Sequence, residues 1–172
     1  MVTEPEQNED SQTLVIDESQ LAALKHKAAD TQNLPMGIVG GLVAGLIGAL
    51  IWAVITVKTG YQVGYVAIGV GFLVGLAVKS LGKGYTPVFG VVGAVIALVA
   101  VLLGNYFSVI GFYAQDSGIA FVEALKGTDL ATAIEMLKDF FAPMDLLFYA
   151  IAVWAGWQYS FQHLTQEELN RL

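Results

Sequence analysis

From Thr31 to Gln115 the chain contains no aspartate and no glutamate, and Lys58, Lys79 and Lys83 are the only charges in that stretch. A water-soluble domain averages about 25% charged residues, whereas this chain has 13% charged and 56% hydrophobic residues. A bilayer is therefore the expected solvent. Backbone amides and carbonyls in lipid must be satisfied within the segment that carries them. The expectation is an all-α fold, because the period-two alternation of a transmembrane barrel is absent. The architecture expected is an integral membrane helical bundle of about four transmembrane helices with an amphipathic interfacial segment.

Met36 to Val57 gives 22 consecutive uncharged residues, enough for about 30 Å of hydrocarbon. It predicts a first span over 36–57, broken by Lys58-Thr59-Gly60. A second span is predicted over 61–78, with Lys79 placed to snorkel at its end. The connector KSLGKGYTP leads into a third over 88–107, with an apolar continuation to Tyr113. A fourth, over 144–161, is only 18 residues long and turns polar at Gln158, Tyr159 and Ser160. Between the third and fourth, residues 114–143 change character. Leu130, Ala133, Ile134, Leu137, Phe140 and Phe141 recur at helical spacing, with Glu135, Lys138 and Asp139 opposite. That pattern predicts an amphipathic helix at the membrane interface, with Thr128 as its cap. Ile119, Phe121, Val122 and Leu125 predict a shorter companion before Gly127.

Residues 1–35 read as an acidic cytoplasmic tail. Its DESQLAALKHKAAD run predicts a short juxtamembrane helix capped by Asp17. Residues 162–172 read as a cytoplasmic C-terminal tail. Lys25, Lys27, Lys79, Lys83 and Arg171 fall on one side of a four-span chain, against Lys58, Lys126 and Lys138 on the other. Basic residues in short loops mark the cytoplasm. Both termini are therefore expected there, in a multi-pass protein of a bacterial inner membrane.

Several chemistries have nothing to use. There is no cysteine, and the two histidines, His26 and His163, are far apart in the sequence. Disulfides, thiolate metal sites and Cys nucleophiles are excluded, and a zinc site lacks ligands. The net charge is −7, with no basic cluster of the kind nucleic acid requires. The connector SLGKGY lacks the spacing and the Ser/Thr of a phosphate loop; it reads as a cytoplasmic turn. Carboxylates are dense only around Asp116, Glu123, Asp139 and Asp145, and no catalytic dyad, metal motif or cofactor motif accompanies them. Asn105 and Gln158 are expected near opposite membrane faces. Trp52, Tyr61, Tyr65, Tyr85, Tyr106, Tyr113 and Trp157 are expected as aromatic belts at the ends of spans.

The strongest internal pattern is small residues every three or four positions. Gly37, Gly41, Gly45 and Ala49 line the first span; Gly64, Ala67, Gly71 and Gly75 the second; Gly93, Ala97, Ala100 and Gly104 the third. Such ridges let helix backbones approach closely. They predict helix packing within the bundle, or an interface with a second copy.

Two stretches carry a resemblance. Gly60-Tyr61-Gln62-Val63-Gly64, followed by Ala67-Ile68-Gly69-Val70-Gly71-Phe72-Leu73-Val74-Gly75 and Gly82-Lys83-Gly84, is one. Met144-Asp145-Leu146-Leu147-Phe148-Tyr149-Ala150-Ile151-Ala152 is the other. Over residues 36–161 the chain resembles an uncharacterised family of small bacterial four-span membrane proteins. Some of its members carry an N-terminal zinc ribbon, which a chain without cysteine cannot form. The resemblance implies the fold and brings no activity and no site residues. The function expected is a non-enzymatic scaffold or accessory subunit, with the lipid bilayer and a homo-oligomer or another membrane protein as partners. A small channel or transporter for an uncharged or weakly polar solute is the alternative.

Overall fold

The computed structural model describes residues 30–61, 64–140 and 143–162. The juxtamembrane helix expected at Asp17, the Gln62-Val63 pair and the C-terminal tail beyond Gln162 lie outside the described residues. So do the side chains of Leu130, Ala133, Leu137 and Phe140, most of the expected apolar face, and that of Asp139 on the opposite side. Of the described residues 84% are helical, and none is in a strand.

Among the described residues six helices follow one another: α1 (Leu34–Thr59), α2 (Val66–Gly82), α3 (Pro87–Ser117), α4 (Phe121–Gly127), α5 (Leu130–Phe140) and α6 (Pro143–Gln158). Two of them, α1 and α3, are long and apolar enough to cross a membrane. Their ends have local causes. Asn33 caps α1 by accepting the amide of Met36 at 3.0 Å, and Pro35 and Pro87 occupy the first turns of α1 and α3, where no amide partner is lost. Gly60 ends α1 at φ 71° and Gly118 ends α3 at φ 66°, a left-handed conformation that costs glycine nothing.

The helix bounds depart from the sequence expectation at three places. The second helix begins at Val66, so Gly64 lies in the turn before it. The third runs ten residues past Phe107, to Ser117, and carries its charged end beyond the apolar stretch. The last begins at Pro143 and ends at Gln158.

Residue pairs at the helix contacts fix the topology. Gly37 meets Gly82 and Phe89, Gly45 meets Val74 and Ala100, Gly48 meets Val70, and Trp52 meets Gly104. As the α1 numbers rise, those of α2 fall and those of α3 rise, so α1 is antiparallel to α2 and parallel to α3. Gly71 meets Ala152, Gly75 meets Ala155 and Tyr159, and Gly93 meets Gly156 and Ser160. Hence α6 runs with α2 and against α3, in an up-down-up-down bundle. Its buried core is Trp52, Ala67, Val70, Val74, Val78, Phe89, Ile96, Ala97, Ala100, Val101, Tyr149 and Ala152.

One end of the bundle is tied by the chain itself. The Asn33 amide donates to the Gly82 carbonyl and the Gln162 amide to the Gly84 carbonyl, both at 2.8 Å. Gln32 Oε1 accepts from the Tyr85 amide and the Thr86 hydroxyl. The start of α1, the α2–α3 connector and the end of α6 therefore meet there. The opposite end carries α4, docked on the last turns of α3 through Ile110, Ala114 and Ala124, with Phe121, Leu125 and Met136 partly buried against them.

The cap of α5 falls one residue later than expected. Asp129 Oδ1 accepts the Thr132 amide at 2.7 Å, while the Thr128 hydroxyl turns back to the Ala124 carbonyl at 2.8 Å. A carboxylate is the better acceptor for the exposed amides of a first turn. The hydrogen bonds from Thr132 hold the Asp129 carboxyl below the usual aspartate range.

Two outcomes follow from this packing. A methyl group added at Gly71 would strike the backbone of Ala152, whereas one added at Gly69 meets nothing within 4 Å. Gly71→Ala should lower stability by about 1–3 kcal/mol through overpacking, while Gly69→Ala should raise it by about 0.5–1 kcal/mol through helix propensity; thermal unfolding of the purified variants measures both. The Asp129 cap stabilises α5 at pH values above the unfolded-state pKa of aspartate, and its contribution is lost as pH falls through the depressed folded-state value. Hydrogen exchange at the Thr132 amide should accelerate relative to neighbouring helical amides across that acid window, and Asp129→Ala should abolish the difference.

Candidate polar site in the bundle core

Polar side chains on three helices gather in the half of the bundle nearer α4. On α1, Trp52 and Thr56 lie one helical turn apart, and both are buried. On α3, Asn105 and Ser108 are buried at 1% and 2% exposure. On α6, Asp145 and Tyr149 are again one turn apart and buried. Each pair is spaced i, i+3 or i, i+4, so each projects from a single helix face.

The geometry ties the layer together. Asn105 Nδ2 donates to the Tyr149 hydroxyl at 2.7 Å, joining α3 to α6. The Ser108 hydroxyl donates to the Gly104 carbonyl at 2.7 Å, within α3. The side of Gly104 faces the Trp52 ring: an added Cβ would sit 2.5 Å from Cε3. Glycine there lets the indole lie against the α3 backbone. Asp145 stands in the first turn of α6, where a carboxylate complements the helix dipole. Two buried polar atoms, Trp52 Nε1 and Thr56 Oγ1, have no hydrogen-bond partner.

The structure moves several residues from their expected settings. Asn105 is interior to α3, because that helix continues to Ser117. Trp52 is a core side chain at 1% exposure and not a belt residue; its neighbour Gly104 supplies the space. Tyr61, Tyr65 and Tyr113 are exposed near helix ends, as is Trp157. Gln158 is far along α6 from Tyr149 and shares nothing with Asn105. The carboxylates do not converge: Asp145 is buried, whereas Asp116 and Glu123 are exposed. Among the described residues no group of three His, Asp or Glu side chains gathers where a metal ion could be held.

The eight glycines singled out in the sequence separate into distinct contacts. Gly37, Gly41 and Gly45 face α2 and α3, with Gly37 3.2 Å, measured from an added Cβ, from the Gly82 Cα. Gly71 and Gly75 face α6, and Gly93 faces Gly156 of α6 and Ser160 just beyond its end. Gly104 cradles Trp52, and Gly64 lies under the Phe148 ring. Gly40, Gly48 and Gly156 also make close contacts that the four-residue ridge did not single out. Gly156 stands against Gly93, so the α3–α6 contact is glycine on glycine.

Sequence reading named Asn105 and Asp145 but did not join them, and it left out Thr56, Ser108 and Tyr149. The available signal was polar residues paired at helical spacing inside apolar runs: Trp52 with Thr56, Asn105 with Ser108, Asp145 with Tyr149. Among the described residues, the clefts outside the polar layer include two of note. One, of about 800 Å³, is lined by Gly60, Val109, Phe112, Tyr113, Gln115, Asp116 and Met136. The other, of about 370 Å³ and almost wholly apolar, is lined by Leu50, Ala53, Val54, Val57, Lys58, Phe107, Gly111 and Phe121.

Compared with known proteins, the chain matches no family model, no curated protein and no solved structure.

The Asn105–Tyr149 bond generates a prediction. Tyr149→Phe leaves a buried amide donor unmatched and Asn105→Leu a buried hydroxyl, so each should cost about 1–3 kcal/mol. The double variant should cost less than the sum of the two, by about 0.5 kcal/mol or more, because the pair is one interaction. Denaturation of the four proteins gives the cycle.

Proposed function

We propose that the chain is an integral membrane protein in which α1, α2, α3 and α6 all cross the bilayer. The observation that carries this reading is the inverted packing of α1. Its glycine and alanine face is buried, while Val39, Leu42, Val43, Leu46, Ile47, Leu50, Ile51 and Val54 point outward, each more than 40% exposed. Val91, Val95, Leu98, Val99 and Leu102 do the same on α3. Contiguous apolar surface on this scale marks a membrane or a partner. At 17 and 16 residues, α2 and α6 are each about 25 Å long, a mismatch that local thinning and interfacial aromatic anchors accommodate. Tyr61, Tyr65 and Trp157 stand where such anchors belong.

The proposed orientation places the end tied by Gln32, Asn33, Gly84 and Gln162 in the cytoplasm of a bacterial cell, with α4 and α5 on the outer side. The Lys79 and Lys83 connector supports it. The resemblance to small bacterial four-span proteins belongs to the same proposal.

Within the membrane the reading is a non-enzymatic scaffold or accessory subunit that assembles with itself or with another membrane protein. The bundle interior is filled by Val70, Val74, Val78, Phe89, Ile96 and Ala97, and most of the large aliphatic side chains of α1 are turned outward. The second reading, passage of a small uncharged or weakly polar solute, is favoured by the polar layer of Asn105, Ser108, Thr56 and Tyr149; the valine-filled half beneath it opposes a continuous path.

The protein should stay in the membrane pellet after alkaline carbonate washing. A fluorescent reporter fused after Leu172 should be active in the cytoplasm, and a phosphatase inserted at Thr128 active outside; the reverse pattern overturns the orientation. In lipid nanodiscs the scaffold reading expects a defined oligomer or a stoichiometric membrane partner. A lone monomer whose liposomes pass small polar solutes would replace it with the second reading.

A further inference from the structure

We propose that the apolar cleft between α1, α3 and α4 seats an anionic phospholipid from the leaflet on the α4 side, with one acyl chain along α1 and the phosphate on the Lys58 ammonium. The inference rests on the membrane reading above and names a partner for one surface of the bundle. The cleft measures about 370 Å³ and is almost wholly apolar. Leu50, Val54 and Val57 line it from α1, at the i, i+4, i+7 spacing that keeps them on one helix face. Phe107 and Phe121 line it from α3 and α4. Their rings stand edge to face, with centroids 6.1 Å apart and planes at 77°, a favourable aromatic geometry that holds this wall in place. Gly111 lets α3 come close to α1 at the level of Val57, since an added Cβ there would lie 2.5 Å from Val57 Cγ2.

Length, charge and size select the occupant. From Leu50 to Lys58 the cleft follows about 12 Å of helix, close to the depth of one leaflet in a hydrocarbon core of about 30 Å. Its apolar end therefore lies toward the bilayer centre and its charged end at the headgroups, which is how a lipid of that leaflet is oriented. Among the described residues that line the cleft, Lys58 alone is charged. It is exposed, and among the described residues none forms an ion pair with it. Asp116 lines the neighbouring cleft with Gly60 instead, and Glu123 and Lys126 of α4 line neither. A phosphate at the head of an acyl chain complements both ends of this cleft at once. A headgroup with no ammonium of its own gives Lys58 no competitor, which selects an anionic lipid over a zwitterionic one. A helix 10–12 Å across would fill roughly 1,000 Å³ over the same length, so the body of a helix from a second copy does not fit.

The test reconstitutes the full chain in nanodiscs of phosphatidylethanolamine and phosphatidylglycerol in equal parts, then releases it into mild detergent for native mass spectrometry. The unsubstituted protein should retain phosphatidylglycerol over phosphatidylethanolamine by about fivefold, the effect of one lysine at an anionic surface. Lys58→Gln should bring that ratio close to one, and Lys58→Arg should restore it. Val54 is 60% exposed, so Val54→Trp fills the apolar part of the cleft without disturbing the core; it should lower retention of both lipids. Lys79→Gln, at the tied end of the bundle, should leave both unchanged. The proposal is overturned if the unsubstituted protein retains the two lipids equally, if Lys58→Gln keeps the preference, or if Val54→Trp retains as much lipid. It is also overturned if Val54→Trp dissociates a dimer while lipid retention stays the same, which would assign the cleft to a second copy. A chain that does not enter nanodiscs at all overturns the membrane reading and this proposal with it, whereas insertion without lipid preference overturns this proposal alone.

Discussion

Where the helices of this bundle touch, there is often no side chain between them. Gly37 lies against Gly82, and Gly93 against Gly156, so backbones themselves form the contact. In the membrane setting proposed above, two apolar helices gain little from hydrophobic burial, because lipid tails are as apolar as leucine; close van der Waals contact has to hold them. Glycine permits the closest approach and so the most such contact. The same close approach fixes the register, since a methyl at Gly71 would meet the Ala152 backbone. It also leaves the larger residues nowhere to go but outward or into the layers between glycines.

That division accounts for the unusual surface. A water-soluble helix buries its large apolar residues and exposes its polar ones. Here α1 buries Gly41, Gly45 and Ala49 and exposes Leu42, Leu46 and Leu50. The large residues that do stay inside, Val70, Val74, Val78, Phe89 and Ile96, fill the half of the core near the tied end. The other half is built around Trp52, Asn105 and Tyr149, and polar groups replace the valines. A polar layer in an otherwise apolar core specifies how helices pair, because a mismatched donor is costly. The Asn105–Tyr149 bond fixes α6 against α3 in this way, and the docking of α4 on Ile110 and Ala114 closes the same end.

Much of the fold was legible in residues. The uncharged stretch around α1, the break at Gly60, the basic connector and the glycine ridges all follow from one-dimensional rules about length, turn chemistry and spacing. Boundaries were less legible. Gln115, Asp116 and Ser117 have no apolar signature, yet they extend α3, because α4 folds back on its last turns and supports them. Asp129, not Thr128, caps α5, since both residue types suit that position and only the backbone path decides between them. Trp52 resembled a belt residue because aromatic residues near helix ends are common there; its burial depends on Gly104, fifty-two positions away.

The sequence by itself determined that this chain is helical and that its helices approach through small residues, because hydropathy, charge exclusion and the spacing of glycine are properties of each segment alone. Only the tertiary structure decided which glycine meets which partner, which end of the bundle is tied together, and that Trp52, Thr56, Asn105, Ser108, Asp145 and Tyr149 share one level of the core. Those are relations between segments, and they are set by crossing geometry and by the pairing of buried donors and acceptors. No single segment encodes either.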